Sequence, residues 1–96
     1  MVNVKNIIGT SDNDCKCGSW LKHWVKFSGK TASYCSAYGC MKKTDLLGAH
    51  VQKTTIDMNW YIIPFCNDHN KIKGELQVSD STVFVSANKS NTCEKK

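Results

Sequence analysis

Apolar residues recur along this chain with two different periods. Between Trp20 and Phe27 they fall at Trp20, Leu21, Trp24, Val25 and Phe27, a helical face with Lys22, His23 and Lys26 on the other side. Ser19 stands where an N-cap is wanted and Gly29 where a helix stops, so the pattern predicts a helix from 20 to about 28. Elsewhere the period is two. A weak alternation at the start, running into the polar stretch 9–14, predicts an edge strand followed by a loop. Residues 46–52 and 60–65 are apolar runs joined by the polar segment 53–59, which predicts a β-hairpin, with Pro64 marking an edge or a bend just before Cys66. Asn67 or Asp68 can cap a short helix that Gly74 ends. Residues 75–78 and 82–85 alternate about Ser79, Asp80 and Ser81 as a second, C-terminal hairpin. After Ala87 the chain turns polar and lysine-rich.

Length then limits what these elements can do. Ninety-six residues build one domain, 1–96, with 41% hydrophobic positions, nine aromatics and a mean hydropathy of −0.40. Such a chain is too apolar for disorder, and no apolar run approaches the ~20 residues of a membrane span. A core of this size needs staples, and six cysteines and three histidines are the available ones. They fit two readings: three disulfides of a secreted module, or thiolate ligands in a reducing compartment. Residues 1–9 lack the apolar core and small-residue cleavage site of a secretory signal, which favours a cytoplasmic protein and a metal. Cys15 and Cys17 agree, because neighbours so close bridge each other poorly yet can share one ion.

The spacing nominates ligands. Residues 34–40 form a short loop closed by Cys35 and Cys40, with Gly39 able to supply the positive φ of a zinc knuckle. Cys66 and His69, spaced C-x-x-H at a helix start, complete four N/S ligands for structural zinc. Cys15, Cys17 and Cys93 with His23 could form a second site, giving one zinc ion or two, although Cys93 also reads as a free tail thiol. The net charge of +5 comes from thirteen lysines and eight acids, with no arginine. That balance favours a polyanion gripped through its phosphate backbone rather than by base-specific contacts, against the plain alternative of solubility charge.

Cys35 and Cys40, then Gly48-Ala49-His50-Val51, then the string from Asn59 through Ile63-Pro64-Phe65-Cys66 to His69-Asn70, resemble the HNH (His-Me finger) nucleases. The resemblance covers about 34–74. It implies His50 as the general base, Asn59 as the residue that orients it, and Asn70 as a ligand for a catalytic divalent ion such as Mg²⁺. Ala49 departs from the family, which usually has Asp or His there as a metal ligand, and His69 stands in place of a second Cys.

Together these readings predict an α+β fold, a zinc-stabilised treble-clef or ββα unit with an N-terminal helix and a C-terminal hairpin. The expected function is nucleic-acid binding, DNA above all, with metal-dependent nicking at His50. The alternative is an inactive HNH-like scaffold that binds a protein, such as a small phage or mobile-element regulator. No membrane partner is expected. On a bland reading His50 is a packed strand histidine, and Trp20, Trp24 and Trp60 are core rather than base-stacking platforms.

Overall fold

The computed structural model describes residues 2–7, 19–54, 59–72 and 74–87. Five strands and two helices follow in the order β1 (Val2–Asn6), α1 (Trp20–Ser28), β2 (Leu46–Lys53), β3 (Trp60–Cys66), α2 (Asn67–Asn70), β4 (Glu75–Val78) and β5 (Val85–Ser86). The strands make one antiparallel sheet ordered β4-β1-β2-β3-β5. The α+β class and the central hairpin are as expected, β2 and β3 pairing in unbroken register from Leu46 against Cys66 to Gln52 against Trp60.

Three expectations need correction. β1 is an inner strand, flanked by β2 and β4, because Val4 is fully buried and both of its neighbours supply apolar partners, Leu76 among them. β4 and β5 do not form a hairpin: β4 pairs with β1 and β5 with β3. Alternation shows that a segment is extended with one face covered, and it is silent on which strand lies beside it. The helix after Cys66 is a single turn that ends at Asn70 rather than running toward Gly74.

Residues 36–38 close the sheet. The Ser36 N–H donates to the Pro64 carbonyl of β3 at 2.8 Å, while Ala37 bridges Val78 and the Tyr38 N–H donates to Gln77 of β4 at 2.8 Å. The knuckle thus joins β4 to the outer side of β3, and the four strands between curl around a shared interior. Val4, Val51, Ile63, Phe65 and Val78 are fully buried there, packed with Cys35, Ala37, Ala49 and Cys66. Each such side chain contributes roughly 1.5–3 kcal/mol on leaving water. Curling also brings the end of β4 toward the outer side of β3, so six residues suffice to reach β5. Pro64 fits because its carbonyl, and hence its nitrogen, faces the knuckle rather than β2; β5 pairs β3 only at Tyr61 and Ile62.

α1 covers the other face. Ser19 caps it through Lys22 N at 3.1 Å, and the Gly29 N–H closes it on the Val25 carbonyl. The buried residues are His23 and Trp24, flanked by the partly covered Trp20 and Leu21, rather than the stripe predicted: His23 is fully buried, while Val25 and Phe27 are both more than a third exposed. Positions i, i+3 and i+4 share a face, and on it His23 and Trp24 are the residues that the sheet covers. Two polar tips pin the helix to the segment around β5: Trp24 Nε1 donates to the Val83 carbonyl at 2.7 Å, and His23 Nε2 to that of Ser86 at 2.8 Å. Trp24 packs on Ile62 and Val85.

The N-terminal turn of α1 rests directly on Gly48. A Cβ there would stand 2.5 Å from the Leu21 nitrogen and closer still to the Trp20 carbonyl carbon, both rigid backbone. Gly48→Ala is therefore expected to lower stability by roughly 1–3 kcal/mol, measured by urea unfolding. An unchanged midpoint would mean that α1 does not sit on β2 in this way.

Candidate metal centre

Cys35, Cys40, Cys66 and His69 come together where the knuckle, the end of β3 and α2 meet. Their ligand atoms all lie within 4.8 Å of one another, and the three thiols are free. Local structure explains the placement. The knuckle is shaped by Cys35 N–H to the Lys42 carbonyl and Cys40 N–H to the Ala37 carbonyl, both 2.9 Å. Gly39 takes φ 81°, a left-handed geometry that strains other residues. Cys66 ends β3 and caps α2, so His69 one turn later faces back toward it. Cys66 Sγ lies 3.0 Å and Cys35 Sγ 3.6 Å from His69 Nδ1. A tetrahedral zinc with Zn–S of about 2.3 Å and Zn–N of about 2.05 Å would set these S–N spacings near 3.6 Å. One distance matches and the other needs a small outward shift, so the donor set fits a four-coordinate ion.

The two buried thiols differ electrostatically. Burial pushes Cys35 up to about 11. Burial also opposes ionisation of Cys66, but hydrogen bonds from the His69 backbone and ring, and from Cys35, bring it down to about 7. Cys66 is thus held nearly ready as a ligand, whereas Cys35 needs a cation beside it to ionise. Lys42 Nζ sits 2.6 Å from Asp68 Oδ2, tying knuckle to helix on the exposed rim. Each raises or lowers its partner toward the charged form, Lys42 upward and Asp68 downward, yet water screens a pair this exposed.

Asn6 is a residue that sequence reasoning missed. From β1 its Nδ2 donates to the carbonyls of His69 and Ile72, both at 2.9 Å, while its buried Oδ1 has no hydrogen-bond partner among the described residues. It fixes the turn that carries His69, a member of the cluster, from more than sixty residues away. No local pattern could have announced a contact of that separation.

The remaining candidates do not converge. Cys15, Cys17 and Cys93 lie outside the described residues. His23 is buried under α1 with its Nε2 on Ser86. His50 is 8% exposed, its ring 4.4 Å from that of Trp20 on the face that α1 covers. The turn carrying Asn70 is held from the opposite face, through Asn6, which pairs with Val51. Asn59 precedes β3 at the far end of the hairpin from Cys66, exposed. Trp24 is core and Trp20 partly so, while Trp60 is 44% exposed. No helix among the described residues is long and apolar enough to cross a membrane.

Comparisons of this chain with family models, curated proteins and solved structures return no match.

Removing the Asn6 amide leaves the Ile72 carbonyl without its donor and the His69 carbonyl dependent on the Ile72 N–H. Asn6→Ala is expected to cost roughly 1–3 kcal/mol and to speed metal loss to a chelator, read by denaturation and by a colorimetric zinc indicator. In the metal-free chain the thiols set the pH response. Cys66, lowered to about 7 from 9.0, adds stability above pH 9 that is lost as pH falls through 7. Cys35, raised to about 11, adds stability below pH 9 that is lost as pH rises through 11. Urea midpoints in EDTA should therefore rise from pH 7 to 9 and fall beyond it; a flat profile would contradict both assignments.

Proposed function

We propose that this protein is a zinc-stapled binding domain, an HNH-like treble-clef scaffold that engages nucleic acid through its phosphate backbone rather than cutting it. The observation that carries the reading is the Cys35, Cys40, Cys66 and His69 cluster, a Cys₃His donor set of the kind that closes around structural zinc. The order of elements supports it: knuckle, hairpin, then a helical turn returning two ligands. Bound zinc would supply a fixed junction between these three segments, and folding energy with it.

Binding rather than catalysis follows from the surroundings of His50. A general base must reach water and the proton it removes. His50 is covered by Trp20, its neighbour Ala49 brings no ligand, and the turn with Asn70 is anchored on the other face. The positive charge remains: Lys5, Lys22, Lys26, Lys30, Lys42, Lys43 and Lys71 are all exposed. Lysines without arginine suit backbone contact of low sequence preference.

Native mass spectrometry of the purified chain should show at least one bound zinc ion, and Cys66→Ser should lose that ion and unfold at lower temperature. Supercoiled plasmid with Mg²⁺ or Mn²⁺ should stay intact while being retarded in a gel, the retardation fading steeply as salt rises from 50 to 200 mM. Nicking that His50→Ala abolishes would replace this reading with the endonuclease one. Absence of retardation would remove duplex DNA as the partner.

A further inference from the structure

Beside the metal cluster, residues 30–31 and 33–41 with Ser79, Ser81, Thr82 and Val83 line a groove of about 330 Å³ that also reaches Trp24 and Pro64. Its walls carry two tyrosines of unusual standing in this chain. Most aromatic rings here are in contact with another ring: Trp20 with His23 and His50, His23 with Phe27, Tyr61 with Phe84, Phe65 with His69. Tyr34 and Tyr38 are 53% and 66% exposed, and neither has a ring contact or a hydroxyl hydrogen bond among the described residues. The Tyr38 backbone is held by its N–H on the Gln77 carbonyl, and Tyr34 directly precedes Cys35, whose N–H is held by the Lys42 carbonyl. They are fixed at the base and open at the ring.

The one charged side chain in the lining is a cation, while the exposed Asp80 stands between two lining residues, Ser79 and Ser81, without lining the groove itself. Lys30 lines it and has no ion pair among the described residues, in contrast to Lys42, which Asp68 neutralises. Neither Asp nor Glu lines it, and hydroxyls from Ser36 and Thr82 add donors to the wall. Rings for stacking, a cation and hydroxyl donors around one concavity are the parts a nucleotide needs. Size narrows the occupant. The groove is at the small end of ligand sites, and an α-helix ~10 Å across would need more volume for one 5.4 Å turn. A base within a duplex has both faces stacked and cannot lie on a tyrosine ring.

We propose that this groove binds a single-stranded nucleic acid, with unpaired bases stacked on Tyr34 and Tyr38 and the adjoining phosphate held by Lys30. The proposal rests on the nucleic-acid reading above and makes it specific: the protein prefers single strands or unpaired nucleotides to duplex.

The test is fluorescence anisotropy of the full-length, zinc-loaded protein with labelled oligothymidylate and with a duplex of equal length. Single strand should bind more tightly than duplex. Tyr34→Ala and Tyr38→Ala should each weaken the single strand at least about fivefold, from the stacking of one base, with little effect on duplex, while Tyr38→Phe should retain affinity. Lys30→Ala should reduce the slope of log affinity against log salt by about 0.7, one phosphate on a single strand. Unfolding temperature and zinc content of each variant, unchanged, would tie the losses to the groove. Wild-type binding that none of the variants weakens, or a preference for duplex, would overturn the groove and leave the broader reading standing. A wild type that binds neither probe would overturn both.

Discussion

Three sulfur atoms and an imidazole nitrogen within 4.8 Å of one another, two of the sulfurs on fully or nearly fully buried residues, form a site that is costly to ionise without a cation. Burial above all drives Cys35 to about 11, and a second thiolate beside it would add repulsion. A divalent ion reverses both effects at once, turning mutual repulsion into shared attraction. The segments that carry the ligands are also the segments that close the fold, so what happens at the cluster is felt through the whole domain.

The closure depends on residues 36–38. This stretch follows a ligand directly and bonds to β3 on one side and β4 on the other. Holding Cys35 and Cys40 in place therefore holds the curled sheet shut over Val4, Val51, Ile63, Phe65 and Val78. At the other end of the cluster, Asn6 ties the His69 turn to β1. The Cys/His cluster, knuckle, sheet closure and first strand make one mechanical unit, and a metal held there would be the kind of staple that a chain with so small a core requires. The groove beside the knuckle borders the same unit, and the bond from the Tyr38 N–H to Gln77 fixes the backbone that presents the Tyr38 ring.

The legible parts of the sequence were those with short-range causes. Ser19 and Gly29 marked α1 because capping is local, and C-x-x-H placed Cys66 and His69 on one turn because i and i+3 share a face. Cys35 and Cys40 joined them through ligand counting. What escaped had long-range causes. The inner position of β1 and the separate partners of β4 and β5 are set by sheet closure, which alternation does not encode. Asn6 contacts residues 63 and 66 positions away. His23 looked like a polar-face residue by type, and its burial follows from a carbonyl on a strand that the helix pattern could not foresee. The HNH resemblance drew His50, Asn59 and Asn70 together on motif order; the fold puts α1 over His50 and the Asn70 turn on the opposite face.

The most direct measurement of the central claim is X-ray absorption at the zinc edge of protein purified without added metal. The account predicts a first shell of three sulfurs at about 2.3 Å and one nitrogen at about 2.0 Å, with the nitrogen lost or replaced in His69→Ala. A shell dominated by oxygen, a four-sulfur shell, or protein that folds fully with no bound metal would contradict it.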